Sequence, residues 1–186
     1  MNTNRGMAQL VARTAGGREV VSSNLATPTK HERHTRSMKR KTPMHIIFAG
    51  GFVFQQGKLL LGKRSMHEGH LPGYWAVPGG KVEYHNETLW NIVQKTVKEE
   101  VREETDVIVS IETMQLINTT NFLRTDGKPV VAMNFLCDYI SGEAKPLDGT
   151  DEVRWVTLEE TKDLLIETNV RKQISLAFEI NAKARQ

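Results

Sequence analysis

The chain has 186 residues, which suits one domain of ordinary size with a buried core, and nothing in it indicates a second domain. It carries 25 Lys/Arg and 22 Asp/Glu, but nine of the basic and two of the acidic residues lie in residues 1–43, which leaves 16 basic and 20 acidic residues in the rest. This distribution argues against a basic nucleic-acid groove in the domain, and no stretch approaches the roughly 20 apolar residues of a membrane span.

Residues 1–43 are rich in Ser, Thr, Asn, Arg and Gly without sustained periodicity, which predicts a disordered basic tail before a domain over residues 44–186. Such a tail is also typical of a transit peptide. Residues 7–29 resemble the peptides that appear when a transfer-RNA gene is translated, and on that interpretation the true start is Met38 or Met44. The single cysteine, Cys137, lies in an apolar run and indicates a reducing, cytoplasmic setting.

The domain begins with apolar runs that predict strands separated by turns. Asn86 is the predicted N-cap of a helix to about Thr105, and Asp126-Gly127 predicts a hairpin. Thr157 and Glu160 form a predicted capping box for a helix to about residue 168, before a last amphipathic segment. The strands are expected at residues 45–54, 59–64, 74–77, 107–111, 114–124, 130–139 and 153–156. Hairpin-connected strands with inserted helices indicate an α+β fold with a mixed sheet.

The acidic helix has an unusual charge distribution. On a wheel of roughly 100° per residue, Glu100, Glu103 and Glu104 fall within about 60° of Leu89 and therefore continue its buried stripe. Carboxylates three and four residues apart repel one another, more strongly where water is scarce, and a bound cation would remove that penalty. A solvated, salt-bridged helix is the alternative interpretation.

Residues 80–107 resemble the signature of the Nudix hydrolase family, G-x5-E-x7-R-E-U-x-E-E-x-G-U, where U is aliphatic. The E-U-x-E-E part matches at Glu100, Val101, Glu103 and Glu104, and the preceding GYWAVPGG resembles the strand and Gly-rich turn that lead into this signature. The resemblance implies a Nudix-type α/β/α sandwich with a mixed β-sheet, over residues 44–186.

The match departs from the family pattern in length and in two residues. One extra residue precedes Glu87 and four more lie between Glu87 and Glu99, which suggests about one added helical turn. Glu99 stands where the family has Arg, and Asp106 stands where it has Gly. A competing register with Lys95 as the Arg restores the spacing after Glu87 but loses the first catalytic Glu, so the first register is preferred.

The resemblance implies a site for Mg²⁺ or Mn²⁺ and roles for particular residues. It implies a metal site formed by the Gly79 carbonyl with Glu100, Glu103 and Glu104, and it implies Glu103, Glu100 and Glu152 as catalytic residues. Glu152 is interpreted equally well as a surface acid beside Asp151. The candidate substrate-binding residues are Lys63, Arg64, Trp75, Phe122 and Asn134. Core packing is the favoured alternative for Trp75, and strand alternation explains Phe122 equally well.

The implied function is metal-dependent hydrolysis of a pyrophosphate bond in a nucleoside diphosphate linked to another group, for example a nucleoside triphosphate. Residues 60–80 also resemble coenzyme A pyrophosphatases and GDP-sugar hydrolases, so this region does not choose between them. A non-catalytic Nudix module that binds a nucleotide is the alternative from another class. The expected partner is a nucleotide-sized substrate, with neither a membrane nor a nucleic acid, and a homodimer stays open.

Overall fold

The computed structural model describes residues 44–184, so the predicted N-terminal tail lies outside the described residues. The strands are β1 (Ile46–Gln55), β2 (Lys58–Arg64), β3 (Trp75–Ala76), β4 (Gly79–Lys81), β5 (Ile108–Val109), β6 (Gln115–Leu123), β7 (Pro129–Ser141) and β8 (Thr150–Val156). The helices are α1 (Ile92–Thr105) and α2 (Thr168–Ala184). In this part of the chain, no helix is long and apolar enough to cross a membrane.

The central strand of the sheet is β1, which runs parallel to β7 and antiparallel to both β2 and β4. The predicted hairpin between β6 and β7 forms at Asp126-Gly127, where the Arg124 N–H donates to the Lys128 carbonyl at 3.0 Å. A sheet with parallel and antiparallel pairs confirms the predicted mixed architecture. Because β1 pairs with β4 at one end and with β2 at the other, the sheet splits beside Gly79.

The two helices cover opposite faces of this sheet. Val53 of β1 packs in the cluster that contains Val97 and Val101 of α1, whereas Phe52 packs in the cluster that contains Ile174 of α2. This alternation follows from the two-residue period of a strand, which sends successive side chains to opposite faces. The result is the predicted α/β/α sandwich, in which both faces of β1 are buried.

The predicted start of the acidic helix is wrong. Helix α1 begins at Ile92, and its N-cap is Asn91 in a left-handed conformation without a side-chain cap, so Asn86 caps nothing. The extra residues lie in the loop over 82–91 and add no helical turn. Helices in proteins depend on burying an apolar face, and the segment before Ile92 buries little, since even its large apolar side chain Trp90 is 82% exposed.

The predicted helix after β8 is also wrong in extent. The Thr157–Glu160 capping box forms, with the Thr157 N–H donating to Glu160 Oε2 at 2.7 Å, but only a short 3₁₀ turn follows at Glu160–Asp163. The chain then runs extended, and the Leu165 carbonyl accepts a hydrogen bond from the Trp75 N–H at 2.8 Å. The Leu165 carbonyl therefore pairs with a distant strand instead of with the next turn of a helix. The capping box starts a helical turn, but this tertiary hydrogen bond prevents a longer helix.

Candidate active site

The Gly-Gly turn of β4 lies directly against β1 and α1. A Cβ on Gly79 would overlap the carbonyl oxygen of Ala49, and a Cβ on Gly80 would overlap the carboxylate of Glu100. Only glycine lets the backbone come this close to its neighbours. The turn therefore brings a backbone segment into contact with the carboxylates of α1.

Glu104 is the most buried of these carboxylates, and its contacts fix its position. The Gly79 N–H donates a hydrogen bond to Glu104 Oε2 at 3.2 Å. Burial raises the pKa of Glu104 to about 8, with a further rise from Glu100, although the Gly79 hydrogen bond opposes both. A carboxylate in this position is stable only when it holds a proton or has a cation beside it.

Glu100 and Glu103 complete the group on α1. Burial raises the pKa of Glu100, and the negative charges of Glu103, Asp148 and Glu83 raise it further. Glu103 is more exposed, with 52% of its side chain accessible, and forms an ion pair with Arg102 at 2.7 Å. The prediction that these carboxylates continue the buried stripe is confirmed for Glu100 and Glu104, which are partly buried, and is wrong for Glu103, which is exposed. Leu89, from which the stripe was counted, lies before the helix.

A cavity of about 310 Å³ opens in front of these carboxylates. Its wall includes Phe48 and Val77, which add apolar surface where the sheet splits. The acidic side chains that line it are Glu68, Glu83, Glu100, Glu103, Glu104 and Asp148, and the basic ones are Arg64, Lys81 and Arg124. A cleft with carboxylates and cations can bind metal ions and phosphate groups together.

Arg64 reaches this cavity from the end of β2. Its Nη2 forms an ion pair with Glu68 at 2.7 Å, and its Nε donates to the His70 carbonyl at 2.8 Å. Its positive charge lowers the pKa of Glu104, although not enough to offset burial. Arg64 therefore lies near the carboxylates, on the same side of β2 as the cavity.

Three of the other predicted site residues lie away from the cavity. Lys63 pairs across the sheet with Trp75 and Glu152, and none of the three lines the cavity. Trp75 is 5% exposed in the core, with Arg154 4.9 Å from its ring centre, and Glu152 forms an ion pair with Arg154. Their roles in the site stay predictions.

Phe122 and Asn134 do not line the cavity either. Phe122 is 38% exposed and stacks on His70, with ring centroids 6.0 Å apart. Asn134 is buried, and its Nδ2 donates to Asn118 Oδ1 at 2.7 Å and to Gln173 Oε1 at 3.2 Å. Their predicted contacts with a nucleobase also stay predictions.

Asp148 is a cavity residue that the sequence did not reveal. Its loop docks on the end of α1, where the Asp148 N–H donates to the Glu103 carbonyl at 3.2 Å and the Leu147 N–H donates to the Glu104 carbonyl at 3.0 Å. These bonds satisfy carbonyls that a helix end leaves without partners. The adjoining Gly149 signals a turn in the sequence, but no local pattern shows which helix that turn contacts.

The carboxylates fit a hard divalent cation by their chemistry. Within residues 44–184, no three His, Cys, Asp or Glu side chains are already gathered as they would be around a bound metal. Glu100 and Glu104 nevertheless lie close enough for Glu100 to raise the pKa of Glu104, and the Gly80 backbone touches Glu100 without a side chain between them. A cation bound by carboxylate oxygens would remove this repulsion.

The family model for the NUDIX domain matches residues 44–177, and the chain belongs to this family. It is a MutT-like hydrolase that acts on phosphoanhydride bonds, the class that the sequence signature indicated. No curated protein matches the chain in sequence.

Solved structures share this fold. A MutT protein from Methanosarcina mazei Go1 is 25% identical with a TM-score of 0.61, and the match covers 75% of this chain and 97% of that one. A MutT NUDIX hydrolase from Burkholderia pseudomallei is 23% identical with a TM-score of 0.58, covering 72% and 98%. A bifunctional NMN adenylyltransferase/ADP ribose pyrophosphatase from Francisella tularensis, complexed with AMP and a manganese ion, is 20% identical with a TM-score of 0.57, covering 76% and 43%.

Proposed function

We propose that the protein hydrolyses the pyrophosphate bond of a nucleoside diphosphate linked to another group, with Mg²⁺ or Mn²⁺ held by Glu100, Glu103 and Glu104. The observation that carries the proposal is the burial of Glu104 beside Glu100, which raises the pKa of Glu104 to about 8. Two partly buried carboxylates whose negative charges act on each other are destabilised unless a cation or a proton joins them. The Gly79 carbonyl stays the predicted fourth ligand.

The cavity must neutralise the negative charge of the substrate's phosphates and position a water molecule. Hydrolysis bonds a water oxygen to one phosphorus while the bond from that phosphorus to the bridging oxygen breaks, and two phosphate products leave. Glu100, Glu103 and Glu104 would hold a divalent cation, which would supply neutralisation of the charge on the phosphate oxygens and orientation of the water. Arg64 lines the same cavity and can donate hydrogen bonds to a phosphate oxygen.

The residues of the chain set up this chemistry before substrate arrives. The Gly79 N–H holds Glu104 in place, so this carboxylate needs no reorganisation. Asp148 is a loop carboxylate whose charge acts on Glu100, and it is therefore a stronger candidate than Glu152 for a further ligand or a general base.

The test is the formation of a nucleoside monophosphate and its second product, separated by chromatography, from a panel of nucleoside triphosphates, nucleotide sugars, ADP-ribose and coenzyme A, with Mg²⁺ or Mn²⁺. We expect turnover of at least one nucleotide by the wild type and a loss of about 100-fold or more in kcat for Glu103→Gln, because one charge-neutralising ligand is gone. Glu99→Gln is the matched control, since Glu99 is an exposed acid of the same helix outside the cavity.

Equal activity of Glu103→Gln and wild type would contradict the assigned metal site. Turnover of coenzyme A or a nucleotide sugar alone would redirect the substrate assignment while leaving the site intact. Binding of nucleotides without turnover of any compound in the panel would contradict the proposed reaction.

A further inference from the structure

Arg124 is a second arginine in the cavity wall, and its guanidinium is only partly used. It follows β6 at the hairpin, and its Nε donates to Asp126 Oδ1 at 3.3 Å. Among the described residues, its two terminal nitrogens have no hydrogen-bond or ion-pair partner, although only 22% of the side chain is exposed. A guanidinium has five donors, and leaving several without partners in a half-buried position is unfavourable.

Asp126 orients Arg124 without neutralising it completely. The same carboxylate also accepts the Lys128 N–H at 3.2 Å and lies 3.4 Å from Lys128 Nζ. One negative charge is therefore shared between two cations, and the hairpin retains net positive charge. Gly127 lies in the tight turn of this hairpin, and its φ of 78° suits that turn.

Arg124 and Arg64 line the same cavity from different elements and have different partners. Arg64 lies near enough to Glu104 to lower its pKa and is already paired with Glu68. Arg124 belongs to the β6–β7 hairpin and is not among the charges that act most on Glu100 or Glu104. The charges of both arginines act on His70, whose pKa is lowered by burial and then by these two charges. The cavity wall therefore carries one arginine that acts on the carboxylates and a second one with a separate partner, besides Lys81.

The loop and the hairpin are held together, so this second position is defined. His70 stacks on Phe122 with an interplanar angle of 11°, and Thr125 Oγ1 donates to the Gly69 carbonyl at 3.5 Å. These contacts join the segment that carries Arg64's partner, Glu68, to the hairpin that carries Arg124. A charged side chain on a hairpin that is held by such contacts loses little conformational entropy when it binds a ligand.

We propose that Arg124 is a specificity-determining residue that binds an anionic group of the substrate beyond the scissile pyrophosphate. The inference rests on the proposed function, because the pyrophosphate is assigned to the carboxylates and Arg64. It narrows the substrate class to compounds that carry an additional phosphate or carboxylate, of which a nucleoside triphosphate is the simplest. A nucleoside diphosphate linked to a neutral group leaves Arg124 without a partner.

The test compares the binding of α,β-methylene ATP and α,β-methylene ADP, and of their guanine counterparts, by titration calorimetry with Mg²⁺. Each pair differs by one terminal phosphate, and the methylene group blocks hydrolysis at that position. The variants are Arg124→Gln, Arg124→Lys, which keeps the charge, and Lys58→Gln as a control that removes an exposed cation outside the cavity. A thermal melt of each variant verifies folding.

We expect Arg124→Gln to raise the Kd of the triphosphate analogue about tenfold or more and to leave that of the diphosphate analogue unchanged. Arg124→Lys should recover most of the loss, and Lys58→Gln should bind as the wild type does. An equal effect of Arg124→Gln on both analogues, no effect on either, or a wild type that does not prefer the triphosphate would overturn the inference.

This outcome is separable from that of the proposed function. An Arg124-dependent preference in a protein that hydrolyses no nucleotide would support the inference and contradict the proposed reaction. Turnover of nucleotides with no selective effect of Arg124→Gln would do the reverse.

Discussion

The Gly79 N–H donates a hydrogen bond to Glu104 Oε2 at 3.2 Å and joins the Gly-rich turn of β4 to the acidic helix α1. This bond stabilises the charged form of a carboxylate that burial disfavours. Burial dominates, so the pKa of Glu104 stays raised at about 8. The protonation of Glu104 should therefore affect both the stability of the fold and the binding of a cation.

The first prediction concerns the stability of the protein without divalent cations as pH changes. The folded state keeps the Glu104 proton up to about pH 8, whereas the unfolded chain loses it near the ordinary value of 4.5. Between these values the folded state binds more protons, so the free energy of unfolding falls as pH rises, by at most about 1.4 kcal/mol per pH unit from this group. Urea unfolding in EDTA from pH 5 to 8 measures the slope.

Glu104→Gln should flatten that slope, because glutamine imitates the protonated carboxyl and can still accept the Gly79 hydrogen bond. The control Glu99→Gln should retain it. A slope that is the same in wild type and Glu104→Gln would contradict Glu104 as the origin of the pH dependence.

The second prediction separates two adjacent glycines. A Cβ on Gly79 would strike the backbone carbonyl of Ala49, which cannot move aside, so Gly79→Ala should destabilise the fold by about 1–3 kcal/mol. A Cβ on Gly80 would meet first the carboxyl group at the flexible end of Glu100. Gly80→Ala should therefore melt close to the wild type yet lose about tenfold or more in kcat, because Glu100 is displaced.

Thermal melts and turnover measured on both variants test this separation. Gly69→Ala is the matched control, because a Cβ there meets nothing within 4 Å. Full activity of Gly80→Ala would show that the position of Glu100 does not matter for the reaction.

The third prediction compares two acids that precede or begin the last strand. Asp148 lines the cavity and acts on Glu100, whereas Glu152 forms an ion pair with Arg154 outside it. We expect Asp148→Asn to lower kcat about tenfold or more and Glu152→Gln to lower it less than about threefold. A pH profile of kcat for each variant measures whether either group carries a proton in the reaction. The opposite order of effects would restore Glu152 to the role that the family resemblance implies.

The direction of the carboxylates on α1 was predictable because it depends only on helical periodicity. Glu100 and Glu104 follow the stripe of Val97 and Val101, and both of these valines are completely buried. The hairpin at Asp126-Gly127 was predictable for the same reason, since its turn chemistry is local. These features needed no knowledge of what the elements pack against.

The start of α1 and the cavity residues Asp148 and Arg124 were not predictable from local sequence. No helix forms before Ile92, because this segment does not pack on the core. Capping residues and helix propensities do not reveal which segments pack on the core. Asp148 joins the site through backbone bonds to a helix 45 residues earlier in the chain, from Asp148 to Glu103. Glu99, which departs from the family's Arg, is exposed and lies outside the cavity.

The most direct test of the central claim is the binding of Mn²⁺ to the protein without substrate, measured by electron paramagnetic resonance for wild type, Glu103→Gln, Glu104→Gln and Glu99→Gln. We expect saturable binding by the wild type and by Glu99→Gln, with affinity reduced about tenfold or more in the other two variants. Equal affinity in all four proteins would contradict the assignment of Glu103 and Glu104 as metal ligands.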